Sequence, residues 1–192
     1  MRISMILAVF ILMTGLPLTA PGSPVQAQPP QPPQLRLHRG TFDARSTMAL
    51  GPTAAWASAA PGPYAIIQLW GPITVADRVA VEQTGVTLLE YLPDYAYLVR
   101  GSAAQLEAAA RLPQVYARTP FTLADKLAPA LLLSLRQGST LAEEVRITGW
   151  PDDQGSLIQD LQAVGGSQQL TASDSQLLQV AALESVRWIE PV

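Results

Sequence analysis

Residues able to do chemistry are few in this chain, and their spacing suits little of it. The one histidine, His38, lies beside Arg36 and Arg39 in a stretch rich in Pro, Gly, Ala and Thr, where a solvated imidazole is the expected state. A serine nucleophile needs a base beside its hydroxyl and a third group to orient that base, so a Ser-His-Asp triad has no partners to draw on. Cysteine is absent, which removes thiolate nucleophiles, Cys-based zinc sites and disulfides together. There is no glycine-rich phosphate loop and no histidine pair at metal spacing. Glu143-Glu144, Asp152-Asp153 and Asp125 are the carboxylates to weigh for acid and base work, but adjacent acids on a strand or helix point in different directions. Solvated surface charge is the reading for each. Asp152-Asp153 is followed by Gln154-Gly155-Ser156, which does not supply further oxygen ligands at calcium spacing. The expectation is a chain with no catalytic residue, no metal and no cofactor.

Composition narrows the partners. A formal charge of −3 over 192 residues gives no broad cationic field, which disfavours nucleic acid and anionic membrane surfaces. Trp70, Trp150 and Trp188 sit at the ends of expected strands, where packing is the ordinary role, and Trp56 lies in a leader. None belongs to an interleaved basic and aromatic stripe. Hydrophobic residues make up 48%, enough for a packed core.

The elements that would position these residues follow from local patterns. Arg2, the apolar run Ile3 to Met13, then Gly15, Pro17 and the small-residue stretch ending at Ala27 read as a cleavable secretory signal over 1–27. The run is too short for a spanning helix, which takes about 20 apolar residues. A secreted or periplasmic, extracytoplasmic location is implied, with no membrane contact after cleavage. Residues 28–63 are expected to form a flexible leader, beginning with a polyproline-like spacer over 28–34.

From Tyr64 the texture changes. Tyr64–Trp70 reads as a buried strand, Thr74 caps a helix through Gln83 that ends at Gly85, and Val86–Leu92 and Ala96–Arg100 flank a turn at Pro93-Asp94-Tyr95. Ser102 starts a second helix that stops at Leu112-Pro113, and Val115–Phe121 is a fourth strand. This order is that of a split β-α-β, or ferredoxin-like, module over 64–121. A linker with a short apolar helix over Leu127–Leu135 occupies 122–140.

Residues 141–192 repeat the order in degenerate form. Glu143–Ile147 is a strand, Asp152 or Asp153 caps a helix ending at Gly165-Gly166, Ser167–Thr171 and Gln176–Val180 form a hairpin, and Ala182–Ser185 links into Val186–Glu190. Gly85 then corresponds to Gly166, Tyr97-Leu98-Val99 to Leu177-Leu178-Gln179-Val180, and Leu112-Pro113-Gln114-Val115 to Leu183-Glu184-Ser185-Val186. The period is about 75 to 80 residues, longer than a solenoid repeat. The expected fold is α+β, two ferredoxin-like modules in tandem.

Gly40-Thr41-Phe42-Asp43, Tyr64 to Ile73, Gly85, Tyr91 to Arg100, Lys126-Leu127 and the closing Val186-Arg187-Trp188-Ile189-Glu190-Pro191 resemble the amino-terminal region of secreted bacterial subtilisin-like serine peptidases. The Tyr91, Pro93, Asp94, Tyr97 and Arg100 hairpin is the most specific part. The chain departs from that family by containing none of its Asp, His and Ser catalytic blocks. The resemblance implies a prodomain that inhibits and helps fold a peptidase partner, its sheet packed on the enzyme and its carboxyl tail in the active-site cleft. Trp188, Ile189, Glu190, Pro191 and Val192 would be that tail, adding a strand through main-chain hydrogen bonds. The same residues are open to a second reading, as an internal strand of the second module. The chain would then be a free inhibitor or chaperone, or a truncated precursor. The rival expectation is an extracellular interaction module that pairs through exposed sheet edges with something other than a protease.

Overall fold

A short apolar alternation organises the first element. In the computed structural model, which describes residues 32–46, 62–138 and 143–192, Gln34–Leu37 (β1) and Gly40–Asp43 (β2) pair antiparallel with Leu35 opposite Phe42. Composition predicts a loop here. The difference arises because Leu35, Leu37 and Phe42 are too few to lift the average of a Pro-, Gly- and Ala-rich stretch. Leu35 nonetheless carries the hairpin into the core, fully buried. The expected signal peptide and Trp56 lie outside the described residues.

The next six elements follow the predicted order: Tyr64–Leu69 (β3), Val75–Glu82 (α1), Thr87–Leu92 (β4), Ala96–Arg100 (β5), Ala103–Ala110 (α2) and Val115–Pro120 (β6). They form a sheet of order β4-β5-β3-β6 in which every neighbour is antiparallel. Both helices start in capping boxes, Thr74 with Asp77 and Ser102 with Gln105, so two orphan donors are satisfied at each start. Gly85 follows α1 with φ 88, a conformation that favours glycine, and a Cβ there would lie 2.5 Å from the Gln105 amide nitrogen and displace that side chain. Val81, Leu106 and Ala109 of the helices cover one face through Ala65, Ile67 and Val99. The other face, with Tyr64, Ile66, Ala96 and Leu98, is buried under Leu35, Leu123 and Trp150.

Residues 121–128 after β6 are all buried. They contain a 3-10 turn, Leu123–Lys126, and lead into Pro129–Gln137 (α3), which starts on proline and stops at Gly138 in the left-handed conformation. The helix expected over Leu127–Leu135 thus begins two residues later, and the segment in front of it is core rather than connection.

Glu143–Gly149 (β7), Gln154–Ala163 (α4), Gln169–Ala172 (β8), Asp174–Ala181 (α5) and Val186–Pro191 (β9) complete the chain, with β7 central between β8 and β9 and both pairings antiparallel. Gln176–Val180, predicted as a strand, lies inside α5. The reason is a capping box: Ser173 accepts from the Gln176 amide and the Gln176 side chain returns to Ser173. Leu177, Val180 and Ala181 are the buried side chains, a helical spacing. The expected match of Tyr97-Leu98-Val99 with Leu177–Val180 therefore pairs a strand with a helix. The match of Leu112–Val115 with Leu183–Val186 holds in geometry, since Val115 N donates to Leu112 O at 3.0 Å and Val186 N to Leu183 O at 3.3 Å. Asp153 stands at the N-cap of α4 but makes no side-chain cap bond, and Gly165 ends that helix with φ 71. The protein is α+β, built from antiparallel sheets and helices.

Candidate functional site

The β4–β5 turn is held in a costly conformation. Asp94 and Tyr95 have φ of 65 and 63, a region most side chains avoid. Arg36 of β1 fixes the first by a bidentate pair, Nε to Oδ2 and NH2 to Oδ1, both 2.8 Å. Hydrogen bonding from that guanidinium holds the Asp94 carboxyl below its usual range. The Gln68 side-chain amide adds a bond from Nε2 to Asp94 O at 3.0 Å, and the main chain secures the second residue, Leu69 N donating to Tyr95 O at 2.8 Å. Of the expected hairpin residues, Asp94 is thus a structural anchor. Arg100 leaves the hairpin to pair with Asp152 of the second half, which accounts for one of the candidate carboxylates. Tyr91 and Tyr97 face each other across the register with rings edge-on at 5.6 Å, and Tyr91 is 56% exposed. Tyr91 and Tyr95 are the exposed aromatic residues of the hairpin, and Pro93 between them is exposed as well.

The expected tail is paired. Trp188, Ile189, Glu190 and Pro191 lie opposite Thr148, Ile147, Arg146 and Val145 in β9, and Val192 N donates to Glu144 O at 3.0 Å. Ile189 is fully buried, and its carbonyl accepts Ala128 N at 2.8 Å from the other side. The internal-strand reading describes these residues, with Val192 exposed beyond the strand. Trp188 Nε1 donates to Glu190 at 3.3 Å.

Between the hairpin, the first sheet and β9 lies a cleft of about 620 Å³, within the size range of ligand pockets. Ile66, Leu98 and Phe121 form its floor, and Trp188 and His38 one wall, their rings 5.1 Å apart. His38, expected in solvent, is exposed but rests on an aromatic ring. The rim charges engage protein partners, Arg187 with Glu90 and Arg36 with Asp94. An apolar floor under a neutralised rim suits an apolar side chain better than an ion. Asp125, the last candidate acid, caps Thr122 N at 2.8 Å and accepts Arg39 Nε at 2.9 Å, which is structural work.

Trp70 and Trp150 pack at strand ends as expected, in two arrangements whose partners the local pattern does not reveal. Arg45 stacks over Tyr116 and Trp70, 4.2 and 4.9 Å from their ring centres, and the Tyr116 hydroxyl donates to Asp43 at 2.5 Å. Burial first and Asp43 second push that hydroxyl up to about 12. Trp150 is the other: it stacks on Tyr64 at 4.5 Å and donates from Nε1 to Glu184 O at 3.1 Å, so it belongs to both halves. The signal for the first was Asp43 in the Gly40–Asp43 run; for the second, only its being aromatic.

A protein-family profile described as a domain of unknown function (DUF8729) matches residues 36–122, from within β1 to just past β6. The match treats the β1–β2 hairpin and the first sheet as one unit, as do the contacts above. No curated protein and no solved structure matches the chain.

Proposed function

We propose that the chain is a secreted, non-catalytic, prodomain-like protein that binds subtilisin-like serine peptidases as an inhibitor or folding chaperone. The observation that carries the reading is the β4-β5-β3-β6 order with α1 and α2 on one face, which supports a ferredoxin-like assignment for residues 64–121. Residues 141–192 are read as the same module without its second strand, because β8-β7-β9 retains the remaining order. The resemblance around Tyr91–Arg100 supplies the class of partner. Geometry favours docking at the outer edge of β4 beside Tyr91 over docking through the tail, since Ile189 is bonded on both sides. An edge strand with an exposed aromatic can take a partner strand by main-chain pairing.

The test is inhibition and refolding of a panel of subtilisin-like peptidases by the purified chain at micromolar concentration. Slowed hydrolysis or faster recovery of activity, weakened by Tyr91→Lys, is the expected result; no effect on any member would end the proposal. The exposed β4 edge also serves a second reading, an extracellular interaction module for a non-peptidase protein, which is favoured if capture from culture medium returns such a partner through the same edge.

A further inference from the structure

Lys126 is the only lysine in the sequence and is 0% exposed. It ends the 3-10 turn, and its Nζ donates to the Leu183 carbonyl, in the turn between α5 and β9, at 2.7 Å. The residues beside it grip other parts of the molecule. Asp125 accepts Arg39 from the β1–β2 turn, Leu127 bridges to Ile189, and Ala128 N bonds the Ile189 carbonyl. This segment is therefore the seam between the two sheets.

We propose that Lys126 is a pH-operated clamp: protonated, it loosens the seam that seats the second sheet against the first, and on losing its proton it tightens that seam. An ammonium has three donors, and one carbonyl in a dry seam replaces only part of its hydration. A neutral amine can still donate to Leu183 O while no longer carrying a desolvated charge. Glu184, in the same α5–β9 turn, faces the ammonium and opposes proton loss, but burial dominates and lowers the pKa to about 8. The other nearby charges are engaged elsewhere: Asp125 with Arg39, Arg187 with Glu90, Glu190 with Arg146. On α5, Asp174 lies in the first turn, at the end remote from Leu183.

The sign follows from linkage. With the seam open the amine titrates near 10.5, and with it closed near 8, so opening takes up a proton between those values and is suppressed as pH rises. These values give roughly a tenfold fall in the open fraction from pH 7 to pH 9. The seam also sets the cleft, because Trp188 and Thr148 on one wall belong to the second sheet and Ile66 and Leu98 to the first. The clamp is independent of any partner.

The sequence supplies its own probe, since a lysine-specific endoproteinase has one site, after Lys126. Cleavage of the full chain, divided at each pH by cleavage of a free peptide spanning 122–132, reads the open fraction. We expect the ratio to fall about tenfold from pH 7 to pH 9, and Glu184→Gln, at an exposed position, to start that fall at lower pH. A ratio that is flat or rises with pH would overturn the clamp. Lys126→Met, followed by urea unfolding, should lose the wild-type gain in stability over the same window. A variant that keeps that gain would overturn it equally, and if it does not fold, the Glu184→Gln profile decides.

Discussion

Between α1 and β5 the first half of the protein has residues 83–95, room for a turn, strand β4 and a second turn; between α4 and β8 the second half has residues 164–168, room for a turn alone. The remaining elements correspond. β5 and β6 flank β3 as β8 and β9 flank β7, and Ser102 with Gln105 caps α2 as Ser173 with Gln176 caps α5. Removing one outer strand changes the status of its neighbour. In β5, inside its sheet, Ala96, Leu98 and Val99 are buried, whereas in β8, at an edge, only Ala172 is. The second sheet is thus the poorer in burial of its own and leans on the seam, Trp150 and β9 for stability.

That contrast can be broken by experiment. Trp150→Ala removes a fully buried indole shared by both halves; a loss of about 3–5 kcal/mol is expected, in one transition by urea denaturation. Two separate transitions would show that the halves do not depend on each other. Leu98→Ala in β5 should cost about 2–5 kcal/mol and Leu170→Ala, half-buried in β8, about 1 kcal/mol. Equal costs in circular-dichroism melts would contradict the difference between interior and edge strands. Ser102→Ala and Ser173→Ala should each cost about 1 kcal/mol, and a marked inequality would count against α2 and α5 being equivalent. The smallest effect is at Asp94, tied to an Arg36 whose side chain is 67% exposed. Asp94→Asn should cost less than about 1 kcal/mol. Because the pairing lowers the Asp94 pKa in the folded state, its contribution is present above the ordinary carboxylate range and is lost as pH falls below it. The wild type and the variant should therefore converge in acid, which stability measured from pH 6 to pH 2.5 would check.

The first sheet was legible because each boundary carries a local signal: Thr74 and Ser102 at caps, Gly85 at a positive φ, Pro113 after α2. In the second half the same kind of signal was present and was outweighed. Ser173 and Gln176 form the same box as Ser102 and Gln105, but aligning Leu177–Val180 with Tyr97–Val99 placed a strand where the cap requires a helix. Spacing from Ser102 to Ser173 instead equals that from Leu112 to Leu183, and this offset brings β5 over β8. The β1–β2 hairpin was hidden by composition, its apolar residues being few. The seam was hidden for another reason: nothing local to Lys126 announces full burial, which arises from contacts with residues far along the chain. The candidate residues divide similarly. The hairpin's turn residues were placed correctly, but that Asp94 is an anchor and Ile189 a core residue depends on Arg36 and Ala128.

The bond from Ala128 to Ile189 sets an order for folding. Residues 121–128 directly follow β6 and lie in the core shared by both halves, and the Ala128 amide is met only by a strand some sixty positions later. As the polypeptide is made, hairpin and first sheet have all their strand partners once β6 has appeared, while the middle segment must wait. Closing that long span carries an entropic cost, so docking of β9 is the late event, and its arrival turns a provisional arrangement of the middle segment into a settled one.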